Sequence, residues 1–180
     1  APTEIYTLSL HAALPISAVV SSEAQKNPYH ANMNYIKNDF LGSMMYMQNV
    51  VLDTHFYERD RMGRFIAFMA RVIKDYGVPY SGMKGIACDE ETAVCVDESG
   101  NGRIFGTGYA FFTLGNKAVE RCVSGTTLDW YGNKQAVKCW RVPGTASGSK
   151  TFNLASWTTS SVTPFYIYID YGKLYPTRPY

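Results

Sequence analysis

Apolar residues at Met62, Phe65, Ile66, Met69, Val72 and Ile73 recur at offsets of three and four. No other feature restricts the fold of this chain as tightly. The spacing lays one apolar stripe along a helix from Arg59 to Tyr76, which Gly77 and Pro79 close. Val50-Val-Leu-Asp53, just before it, is a short β-branched run suited to a buried strand. Beyond the helix the period shortens. Lys84 to Cys88 and Ala93 to Asp97 read as strands around an acidic turn. So do Arg103 to Leu114, Ala118 to Val123, Ala136 to Val142, Thr151 to Leu154 and Phe165 to Asp170, with Gly- and Ser-rich turns between them. An α/β segment thus passes into a β-rich tail, with no internal repeat.

The segment before the helix divides in two. Ile5 to Ile16 has neither helical nor strand periodicity and closely resembles a translated sequencing-library adapter, Ala12 standing where that translation has Asp. Residues 1–16 are therefore expected to be a non-native or irregular N-terminal segment, and residues 17–180 the folded domain. Ser21 to Tyr29 reads as a polar turn ending at Pro28.

Bulk properties exclude some partners. Hydrophobic residues make up 46% and charged residues 18%, as in a folded domain, and a net charge of +2 gives no pull toward nucleic acid or an anionic membrane. No apolar run approaches the ~20 residues of a membrane helix. Fourteen tyrosines and three tryptophans suit half-buried strand faces. Cys88 and Cys95 flank the acidic turn, while Cys122 and Cys139 lie in two strand-like runs that could pair. Two disulfides, and with them an extracytoplasmic compartment, are slightly favoured over four buried thiols. No CxxC spacing suggests a metal.

The chemistry-bearing residues cluster at the ends of these runs. Asp53-Thr-His55 follows a strand, Arg59, Arg61 and Arg64 open the helix, and Cys88-Asp-Glu90-Glu91-Thr92 ends the next strand. A histidine beside a carboxylate can serve as a general base. Cations at a helix N-terminus cost ~0.3–1 kcal/mol each. Either ion pairs with Glu58, Asp60 and Asp75 or an acidic ligand would offset that cost.

Asp53-x-His55-Phe, Arg59-x-Arg61-x-x-Arg64 and Asp89-Glu90-x-Thr92-Ala93 together resemble cyanophycinase and its relatives in the serine peptidase family that includes dipeptidase E. Ser22 to Tyr29 and Thr151-Phe-Asn-Leu154 extend the resemblance from about Ser21 to Leu174. It implies an α/β, three-layer sandwich related to class I glutamine amidotransferases, carrying the β-rich tail. It also implies a serine nucleophile, His55 as base, Glu90 as orienter, and Asp53, Arg59, Arg61 and Arg64 in a pocket for a peptide or acidic polymer. No cofactor is implied. Thr54 replaces the family's Gln and Glu91 its Asn, so the β-Asp-Arg dipeptide specificity does not carry over. The family's Gly-x-Ser-Ala-Gly-Ala elbow is absent; Ile16-Ser17-Ala18-Val19 reproduces only its middle, which makes Ser17 the candidate nucleophile. The expectation is a peptidase truncated at its nucleophile, active only if Ser17 or a serine of a partner chain fills the role. A binding module for acidic peptide or carbohydrate and a self-associating fragment, a homo-oligomer, are the alternatives.

Overall fold

The computed structural model describes residues 6–7, 19–34 and 45–180. Two α-helices and ten strands are found among them. In chain order these are β1 (Tyr6–Thr7), α1 (Ser21–Lys26), β2 (Val50–Asp53), α2 (Met62–Tyr76), β3 (Lys84–Cys88) and β4 (Thr92–Val96). They continue with β5 (Asn101–Gly106), β6 (Tyr109–Gly115), β7 (Val137–Pro143), β8 (Lys150–Asn153), β9 (Phe165–Asp170) and β10 (Lys173–Tyr175). Six strands form a central sheet in the order β10-β9-β7-β6-β3-β2, and four form a second sheet, β1-β4-β5-β8.

The expected α/β sandwich is not what forms. Among the strand pairs of the described residues only β2 and β3, joined through α2, run parallel, and the others are antiparallel. A doubly wound sheet needs crossover helices on both faces, and among the described residues both helices pack on one. The opposite face of the central sheet is covered by the second sheet. The strands expected to form a tail are the body of the fold, because β6, β7 and β9 lie side by side next to β3.

Two cores result. Phe56, Phe65, Ile66 and Met69 pack with Ala87, Phe111, Val137, Cys139 and Ile167 on the helix side. Ile86, Cys88, Phe112, Trp140 and Val142 meet Val94, Ile104, Phe152 and Trp157 between the sheets. Successive side chains of a strand point to opposite faces. Phe111 and Phe112 therefore serve different cores, and Phe112 stacks on Phe152 with ring centroids 3.9 Å apart.

Three local expectations change. Ser21–Lys26 is a helix rather than a turn; it seats against α2 at Gly63, where a Cβ would stand 1.8 Å from Gln25 Nε2 and 2.8 Å from Ser21 Cβ. The run from Arg103 to Leu114 breaks into β5 and β6 at Gly106, whose φ is 122° and whose Cβ would lie 2.0 Å from Glu91 O. Residues 118–123 form no strand, contributing only a bridge between Arg121 and Asp129.

All four cysteines are free. Cys88 faces the core between the sheets, whereas Cys95 alternates with Val94 and Val96 and so points away from it. Cys139 is paired in register with Thr113 and Phe165, and the segment holding Cys122 does not join the sheet beside it. The compartment argued from disulfides loses that support. Burial pushes the Cys88 thiol up to about 12 and that of Cys122 to about 11.

Candidate active site

The parallel strands β2 and β3 end on the same side of the central sheet. Immediately past β2, His55 adopts a left-handed backbone with φ of 48°. The next residue explains how that turn is held. Phe56 is fully buried among Phe65, Phe111 and Tyr180, and its N–H donates to Cys88 O at 3.2 Å. With Phe56 anchored inward, His55 projects from the edge.

Past β3, Asp89 ties three segments together. Its Oδ1 accepts the Tyr57 N–H at 3.0 Å and its Oδ2 the Tyr109 N–H at 2.9 Å. Burial raises the Asp89 carboxyl above its ordinary range, with these two donors acting in the opposite direction. Glu90 is thereby fixed beside the loop after β2, and its N–H donates to Glu58 Oε1 at 3.2 Å.

The outcome is a close pair: His55 Nδ1 and Glu90 Oε1 are 2.6 Å apart, with 33% and 48% of the two side chains exposed. An ionised carboxylate only accepts, so in the neutral imidazole Nδ1 carries the hydrogen and Nε2 keeps its lone pair. This is the tautomer a general base needs.

Asp53, two residues from His55, has a different set of neighbours. Arg64 Nε donates to Asp53 Oδ2 at 2.9 Å and Arg64 Nη2 to Oδ1 at 2.6 Å, a two-pronged grip. Arg61 Nη1 adds donations to Asp53 Oδ1 at 3.1 Å and Thr54 O at 2.6 Å. All three side chains are at most 6% exposed. This carboxylate supplies the compensation that cations at the start of α2 require. Burial lowers the pKa of the Arg61 guanidinium, and Asp53 opposes that shift.

The start of α2 also lacks a side-chain cap of its own. Distant residues take that role: Tyr180 Oη accepts the Met62 N–H at 2.9 Å, and Ser21 Oγ accepts the Arg64 N–H at 3.2 Å. Ser21 in turn donates to Asp60 O. Two of the four orphan donors of the helix are satisfied in this way.

The expected residues thus fall into three groups. His55 and Glu90 are brought together at the sheet edge. Asp53, Arg61 and Arg64 meet in the interior, while Arg59 is exposed, with its N–H on His55 O at 3.3 Å. Ser17 lies outside the described residues. Sequence reasoning passed over Arg141, although its pattern held a signal: Val137, Cys139 and Arg141 share one face of β7, and a cation interrupts that apolar alternation. A cavity of about 300 Å³ lined by Glu120, Asp129, Tyr131, Asp170 and Tyr171 includes none of these residues. Among the described residues no cluster of His, Cys, Asp and Glu suits a metal, and no helix is long and apolar enough to cross a membrane.

No protein-family model matches the chain, and no curated protein matches it. The resemblance to the cyanophycinases rests on the spaced motifs alone.

Proposed function

We propose that His55 and Glu90 are the base and orienter of a serine-type peptidase that hydrolyses an acidic or Asp-containing peptide by acyl transfer. The single observation that carries this reading is the 2.6 Å contact between His55 Nδ1 and Glu90 Oε1 at the open sheet edge. Nε2 of His55 accepts the serine proton as the hydroxyl attacks the scissile carbonyl, then returns it to the leaving amine. Glu90 holds the tautomer and stabilises the imidazolium between those steps. Ser17, or a serine of a partner chain, is the candidate for the attacking hydroxyl.

The test is fluorophosphonate labelling together with turnover of an Asp-containing peptide. Wild-type protein should label on serine and hydrolyse the peptide, and His55→Ala should lose both while keeping its circular dichroism. A wild type that does neither, or a His55→Ala variant with unchanged turnover, overturns the assignment.

A further inference from the structure

Near Asp89 stands a cation, Arg141, that forms no ion pair among the described residues. Arg141 lies near the C-terminal end of β7, on the helix-side face, opposite Phe111 in register. Its guanidinium carbon sits 3.5 Å from the centroid of the Tyr109 ring. Tyr109 is the residue whose N–H is held by Asp89, immediately before Glu90. Arg141 thus lies at the same end of the sheet as the His55–Glu90 pair, two strands beyond β3 with β6 between.

Its bonding is unlike that of Arg61 and Arg64. Arg141 Nε is enclosed and finds no hydrogen-bond partner among the described residues. Asp89 feels the Arg141 charge but forms no ion pair with it, and each Asp89 oxygen accepts one backbone N–H, from Tyr57 and from Tyr109. A buried polar atom left without a partner is costly, so such atoms are rare in native structures and call for an explanation. Stacking on an aromatic ring orients the guanidinium plane and leaves its in-plane N–H groups for a planar acceptor. Opposed to any anion here are Asp89, Glu90 and Glu58. Such a site would hold one carboxylate that meets the guanidinium at close range, rather than a diffuse polyanion.

We infer that Arg141 is the specificity-determining residue of this site, binding a carboxylate of the peptide substrate while Arg61 and Arg64 are held by Asp53. The inference rests on the peptidase reading for its substrate but not for its measurement. Binding of acetyl-Ala-Asp-Ala-amide and acetyl-Ala-Asn-Ala-amide, which differ only in a carboxylate, is compared by calorimetry in wild type, Arg141→Gln, Arg141→Lys and His55→Ala. Wild type and His55→Ala should prefer the Asp peptide by about 10- to 100-fold, the range expected for hydrogen bonds to a charged group. Arg141→Gln should bring the two peptides to near equality, and Arg141→Lys should retain part of the preference, with melting curves confirming that both variants fold. Equal affinities in wild type, or a preference that survives in folded Arg141→Gln, overturn the inference. Arg141-dependent preference without hydrolysis would sink only the catalytic reading, and hydrolysis with no such dependence only this one.

Discussion

Asp53 and His55 stand two residues apart at the end of one strand, and each pairs with a group brought from elsewhere in the chain. Around Asp53 the side chains are at most 6% exposed and every contact is a charge-assisted hydrogen bond. Around His55 and Glu90 a third to a half of each side chain is exposed. The first arrangement is committed to holding α2 on β2. The second is worth little to the fold, because exposed ion pairs contribute roughly 0–1 kcal/mol, yet it leaves a ring nitrogen accessible. Depth of burial, rather than residue type, separates the structural half of this motif from the chemical half.

The contrast can be broken most forcefully at Asp53. Asp53→Ala would leave two guanidinium groups buried without their anion, and should cost about 3–5 kcal/mol. Urea unfolding of the variant would measure it, and a loss below about 1 kcal/mol would place the arginines in water instead. At the other pole, Glu90→Gln should change unfolding free energy by less than about 1 kcal/mol; a larger loss would make the pair structural after all. The subtlest effect concerns Asp89. Its folded pKa is raised by burial, so the folded state binds the proton more tightly than the unfolded one. Stability should therefore fall as pH rises from the ordinary carboxylate range through the raised value, and level off beyond it. Unfolding at a series of pH values, wild type against Asp89→Asn, isolates this slope. A difference that grows in the opposite direction would show that the two N–H donors outweigh burial.

The elements most visible in the sequence are those whose pattern is local. α2 announces itself through its stripe, and β2, β3 and β9 through short runs bounded by turns, so their limits differ little from expectation. α1 is only six residues long, with Val20 at its N-cap and little apolar surface; its helix depends on packing at Gly63, which no local pattern encodes. Sheet membership was equally hidden. Period-two alternation says that Phe111 and Phe112 face opposite ways, not that a second sheet covers one of those ways. Within the site, the pairing of His55 with Glu90 was expected only from the family resemblance, and the two side chains do meet. The burial of Arg61 and Arg64 depended on how α2 folds back over β2. Arg141 was legible only as an irregularity in β7, since what makes it unusual is the absence of a neighbour among the described residues.

The capping of α2 from far along the chain has a further consequence for biosynthesis. Tyr180 reaches Met62 across 118 residues of sequence. At a translation rate of about 5–20 residues per second, residue 180 is added roughly 6–24 s after residue 62. During that interval Asp53, Arg61 and Arg64 can already be joined, but the Met62 N–H has only water. The nascent chain can therefore join its ion-paired interior before the Met62 N–H, at the rim that carries His55, gains its tyrosine partner.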